Sequence, residues 1–150
     1  MINTPLKLQY NHSYNSLLVV DSFCNNYLYD SRESKLKSLK LMKPATMAKP
    51  SIFEVNNHSL FLMDADNQAV LFDIRMAAES TFKQFNESFS ACCFYDNRYL
   101  AMADKNIDFI DQADLSTKER IYEGNDTIKS INCNDSTLVA GGFNCNIQVK

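Results

Sequence analysis

The chain has 150 residues, 45% of them apolar, which is enough to bury a core of ordinary size. A net charge of −3 gives no general attraction for nucleic acid or an anionic membrane. No apolar run approaches the ~20 residues of a membrane helix, and no basic stretch leads into an apolar one at the N-terminus. The expectation is therefore an intracellular protein, cytoplasmic or nuclear, with no membrane partner.

The charge is unevenly placed. Between Arg32 and Lys49 lie Arg32, Lys35, Lys37, Lys40, Lys43 and Lys49, opposed by Glu33 alone. Five cysteines, Cys24, Cys92, Cys93, Cys133 and Cys145, form no Cys-x-x-Cys pair. An odd number with two adjacent members is not the framework of a small secreted domain. Buried free thiols in a reducing compartment are the better reading.

In chain order, the first predicted strands are Leu6–Tyr10, Leu17–Val20 and Asn26–Tyr29. Ser31–Lys43 then admits two readings. One is a short helix capped by Ser31, with Leu36, Leu39 and Met42 on one side. The other is a fourth strand, Leu36–Leu41, and the phase of the later repeats favours it. Pro44 and Pro50 bracket the following loop, where a missing N–H does no harm. The second set is Ile52–Val55, Leu60–Met63, Ala69–Phe72 and Thr81–Phe85. The third is Ser90–Tyr95, Tyr99–Met102, Ile107–Ile110 and Lys118–Tyr122. The fourth, Thr127–Asn132, Thr137–Ala140 and Asn146–Val149, has three strands. Apolar runs bounded by Asn, Asp and Ser clusters are what strands joined by tight turns require.

These sets repeat. Ser16–Asp30, Ser59–Asp73, Arg98–Asp111 and Thr137–Lys150 each hold two apolar runs around a polar break. Their closing residues are spaced by 43, 38 and 39 positions. A step of roughly 40–45 residues with four strands per unit is the signature of a propeller blade. The expected fold is all-β: blades at about 6–41, 51–85, 90–122 and 127–150, three complete and the fourth with three strands. Three and three-quarter blades are fewer than a usual ring holds, so a piece of a larger propeller is expected. The alternatives are a strained four-bladed ring or the pairing of two copies.

At these residues the chain resembles the WD-repeat family. The family commonly ends its third strand in Trp-Asp. The corresponding pairs here are Tyr29-Asp30, Phe72-Asp73, Ile110-Asp111 and Val149-Lys150. Asp21, Asp66, Asp104 and Asn144 stand near the family's turn Asp, and Ala140-Gly141-Gly142 resembles the small-residue end of its second strand. The chain departs from the pattern in having no Trp and no Gly-His pair, so the family's His–Asp relay is not carried over to His12 or His58. Within the family SINCNDSTLVAGG and the repeats before it are most reminiscent of one individual WD-repeat protein, and a weaker likeness exists to the propellers of the mitotic checkpoint and mRNA-export group.

Chemistry is sparse. Asp64-Ala65-Asp66-Asn67-Gln68 begins like a calcium loop, but Ala69 and Arg75 stand where such a loop needs Gly and Glu. No His–Cys pair has metal spacing, and Gly124, Gly141 and Gly142 build no phosphate-binding loop. No catalytic residue, metal or cofactor is expected. The resemblance implies a non-catalytic scaffold that binds other proteins. Its b–c and d–a connections would share one rim bearing Phe23, Asp64, Asp66, Lys105 and Phe143, together with Lys43, Lys49, Phe89 and Asn125. The alternative is an association with nucleic acid through the basic window 32–49, which lacks an aromatic residue to stack on bases.

Overall fold

The computed structural model describes residues 4–12, 15–39, 46–56, 58–75, 80–134, 137–143 and 146–149. Every regular element among them is a strand. In order these are β1 (Pro5–Asn11), β2 (Ser16–Asp21), β3 (Asn26–Asp30), β4 (Lys35–Leu39), β5 (Pro50–Asn56), β6 (Ser59–Asp64), β7 (Gln68–Asp73) and β8 (Ser80–Gln84). They continue with β9 (Ala91–Phe94), β10 (Tyr99–Ala103), β11 (Ile107–Asp111), β12 (Thr117–Tyr122), β13 (Ile128–Asn134), β14 (Thr137–Gly142) and β15 (Asn146–Val149). Consecutive strands pair antiparallel into sheets β1–β4, β5–β8 and β9–β12, and a three-stranded sheet β13–β15. This is the expected rhythm of blades, including the shorter fourth. The chain divides into two compact units, Met1–Phe85 and Asn86–Lys150.

The second strand of each sheet shows why the fold forms. In β6, Leu60, Phe61, Leu62 and Met63 are all at most 1% exposed. Neighbours in a strand point to opposite faces, so an unbroken apolar run fits only where both faces are covered. In the first unit, Leu18 and Val20 pack with Phe53, Leu60, Leu62, Val70 and Phe72, while Leu28, Met47 and Val55 fill the margin. In the second, Ala101, Ala103, Ile107, Ile128, Leu138 and Ala140 form the core, with Phe109, Ile121 and Ile131 against it. A register shift falls near the start of the first strand in three sheets, at Pro5/Lys7, Pro50/Ile52 and Ile128/Ser130. Such bulges bend and twist a strand at a repeated place.

The ambiguous stretch after Asp30 is a strand. Residues of β4 pair with β3 at Asp30↔Lys35, Tyr29↔Leu36 and Leu28↔Lys37. The open edge of β3 needs partners for its backbone groups, which a helix would leave unmet. Residues 40–43 of the predicted segment lie outside the described residues. The other boundaries move by a residue or two. His12 and His58 sit in the turns after β1 and β5, His12 exposed and His58 half-buried. Cys24, Cys92 and Cys93 are buried, and Cys133 is half-buried.

Candidate interaction surface

The turns between the second and third strands are built by carboxylates. Asp21 ends β2 and is fully buried. Its Oδ1 accepts the backbone N–H groups of Phe23 and Asn25, both at 2.9 Å. Its Oδ2 accepts from Asn25 Nδ2 at 3.1 Å and from the Tyr27 hydroxyl at 3.3 Å. Burial and this carboxylate together push the Tyr27 phenol above its ordinary pKa. Asp64 ends β6 and repeats the device. Its Oδ1 accepts from the backbone N–H of Asp66 at 3.0 Å and of Gln68 at 2.9 Å, and its Oδ2 from Ala48 N–H at 2.8 Å. The third residue after each Asp turns left-handed, Cys24 with φ 61° and Asn67 with φ 64°. The two loops therefore share one backbone path.

The residue two places after each of these aspartates, where the chain is farthest from the sheet, is pushed outward. Phe23 stands there in the first sheet with 64% of its surface exposed, and Asp66 stands there, exposed, in the second. In the third sheet Ala103 pairs with Ile107, which makes the loop two residues shorter than the one closed by Met63↔Ala69. Lys105 is its exposed tip. Gly124 passes so close that a Cβ there would meet the Tyr122 ring at 2.7 Å and the Lys105 carbonyl oxygen at 3.0 Å. In the fourth sheet Phe143 follows β14 with 88% exposure, and Lys129 Nζ lies 5.7 Å from its ring centroid.

Of the residues anticipated for the rim, Phe23, Asp66, Lys105, Phe143, Lys49 and Asn125 are exposed and Phe89 is half-buried. Asp64 is 1% exposed and spends its carboxylate on the turn, so it offers no group to a partner. Lys43 lies outside the described residues. The structure brings Phe23 near Asn25 and Asp21 in one turn, and Asp66 near Asn67 and Gln84, whose Nε2 donates to Asp66 O at 2.8 Å. A shallow groove of about 210 Å³ lies beside the same sheet, lined by Gln68, Ala69, Phe82, Lys83 and Gln84. Among the described residues no His, Cys, Asp and Glu side chains converge as a metal site.

At the other end of the sheets a second carboxylate recurs. Asp30 accepts from Arg32 N–H at 2.9 Å, Nε at 3.2 Å and Nη2 at 3.0 Å. Asp73 holds Arg75 in the same fork, at 2.9, 3.1 and 2.8 Å. The forked hydrogen bonds from each arginine hold both carboxyls below the usual carboxylate pKa. Asp111 keeps the backbone part, accepting from Ala113 N–H at 2.9 Å, and its arginine comes from the other side of the sheet end, with Arg98 Nε 3.6 Å from its Oδ2. The arginines were not anticipated, although the repeated tripeptides Asp30-Ser31-Arg32 and Asp73-Ile74-Arg75 carry the signal. The pairing also offsets part of the charge Arg32 brings to the basic window, and Glu33 lies 3.5 Å from Lys35.

No family model and no curated protein sequence matches the chain. Solved structures do match. The chain is similar to one in the crystal structure of the mitotic checkpoint complex, with a TM-score of 0.72 and 16% identity over 92% of this chain and 44% of that one. It is similar to U3-55K, with a TM-score of 0.71 and 9% identity over 93% of this chain and 46% of that one. The WD40 repeats of RRP9 match with a TM-score of 0.68 and 9% identity over 93% and 45%. The chain thus spans less than half the length of the structures it matches, and its fold is that of a WD40-type β-propeller.

Proposed function

We propose that the chain is a non-catalytic scaffold that binds other proteins through the turn ends of its sheets. The observation that carries this reading is the pair of phenylalanines, Phe23 and Phe143, presented 64% and 88% exposed on turns of the same class. A large aromatic side chain displayed on a rigid frame is the usual anchor of a protein interface. Asp66, Lys105, Lys49 and Asn125 supply exposed polar groups at the equivalent and neighbouring connections. The matched structures include a chain of a mitotic checkpoint complex, which supports protein partners. The odd number of cysteines, with Cys92 and Cys93 adjacent, supports an intracellular, reducing setting.

The test is affinity capture from native extract with wild type, Phe23→Ser and Phe143→Ser, each checked for an unchanged circular dichroism spectrum. A protein retained by the wild type and lost with either variant supports the reading. Capture indifferent to both substitutions contradicts it.

The alternative, nucleic acid held by the window 32–49, draws on the exposed Arg32, Lys35, Lys37 and Lys49. The neighbouring Asp30 and Glu33 offset part of that charge, which favours the protein-binding reading. Within the WD-repeat family we read residues 130–142, SINCNDSTLVAGG, as similar to WD repeat-containing protein 89; that reading rests on this stretch and the repeats before it.

A further inference from the structure

One face of the first sheet is apolar, and although Val19 and Tyr27 near its middle are only 5% and 9% exposed, the side chains around them stand open. In the register of β1–β4, Tyr10 is opposite Leu17, Leu17 opposite Tyr29, and Tyr29 opposite Leu36, while Leu8 is opposite Val19. Directly opposed residues share a face. On this face Leu8 is 64% exposed, Tyr10 47%, Leu17 36% and Leu36 44%. The reverse face, with Leu18, Val20 and Leu28, belongs to the core.

The second sheet shows what such a face is built for. By register, Leu60 stands where Leu17 does, Phe72 where Tyr29 does and Phe53 where Leu8 does. There they are 0%, 1% and 3% exposed, because Leu18 and Val20, alternate residues of the preceding sheet's second strand, pack on them. The second unit repeats the rule. Leu138 and Ala140 pack with Ala101 and Ala103, the alternate residues of β10. A sheet of this chain thus takes, on one fixed face, the alternate second-strand residues of another sheet. The fourth sheet offers that complementary set: Val139, the counterpart of Leu18 and Ala101, is 53% exposed, beside exposed Ser130 and Asn132.

We propose that the outer face of β1–β4 in one copy of this chain docks on the outer face of β13–β14 in a second copy, head to tail. Each copy carries one face of each kind, so the pairing satisfies both. Tyr10 and Tyr29 suit a contact whose other side mixes Val139 with the polar Ser130 and Asn132, since tyrosine presents a large apolar ring with a hydrogen-bonding tip. Each contact joins two different patches, the two contacts of a pair are related by a two-fold axis, and neither depends on the role of the turns.

Sedimentation velocity on the full chain tests it. The wild type is expected at twice 17.1 kDa at micromolar concentration, and Leu17→Arg and Val139→Arg are each expected at the single-chain mass. Should Leu17→Arg fail to fold, Leu8→Arg at the more exposed position replaces it. Mixing the two variants restores one intact pair of faces, so a dimer should reappear in the mixture. A monomeric wild type overturns the proposal. So does a dimer indifferent to Val139→Arg, which would mean the first sheet meets something other than the fourth, and so does a mixture that stays monomeric.

Discussion

Asp108 and Arg120 face each other across β11 and β12, and the guanidinium closes on the carboxylate at 2.9 Å and 3.3 Å. Asp108 is 4% exposed, so its charge is tolerable only because Arg120 is there, and Glu87 and Glu123 hold the other side of Arg120 at 3.9 and 3.7 Å. Arg120→Ala strands a buried carboxylate and is expected to cost about 2–3 kcal/mol, less than a fully buried pair because Arg120 keeps contact with water. Replacing both residues, Asp108→Leu with Arg120→Met, should recover most of that loss. Urea denaturation of the three variants checks it.

The carboxylate turn gives a second expectation. Asp64→Ala removes the acceptor for three backbone N–H groups and should destabilise the chain by about 2–4 kcal/mol. Asn67 holds φ 64°, so Asn67→Gly should be close to neutral, and Asn67→Val should cost about 1–2 kcal/mol. Thermal melts of the two Asn67 variants separate backbone geometry from side-chain loss.

Leu115 holds φ 55° and is fully buried. Its counterpart four residues after Asp30 is Ser34, exposed, at φ 51°. Ser34→Gly relieves the left-handed strain without losing any packing and is expected to stabilise by up to about 1 kcal/mol. Leu115→Ala keeps the strain and empties the core, costing about 2–4 kcal/mol. Opposite signs at equivalent turn positions are the readout.

Glu54 gives a pH dependence. Burial lifts its carboxyl to about 7, against the opposing pull of Lys7 and a hydrogen bond from Gln9. The folded chain therefore binds this proton more tightly than the unfolded one. The contribution is fully present below the ordinary glutamate range and is lost as pH rises through 7, a fall of about 2–3 kcal/mol. Glu54→Gln should abolish that slope and be the more stable form at pH 8. Denaturation midpoints from pH 5 to 8 show whether wild type and variant cross.

The strands were legible in the sequence because the second and third strands of each sheet are unbroken or alternating apolar runs, and the closing Asp marks the step. The roles of the polar residues were less legible. Asp66 stands near the family's turn acid in the sequence, yet the acceptor is Asp64, because a side chain at the strand end reaches the N–H groups two and four residues on. Asp66 is instead in phase with Phe23. A Leu at a left-handed position gives no warning, whereas Asn67 does. The alternation that places Leu8, Tyr10, Leu17 and Leu36 on one face reveals their side but not whether anything covers it.

The sheets of this chain recur with the sequence step. Amide hydrogen exchange followed residue by residue tests this most directly. Slow exchange should recur in β2–β3, β6–β7 and β10–β11, with fast exchange at the tips around Phe23, Asp66 and Lys105. Protection running unbroken through those tips, or spaced without the 43- and 38-residue intervals between Asp30, Asp73 and Asp111, would contradict it.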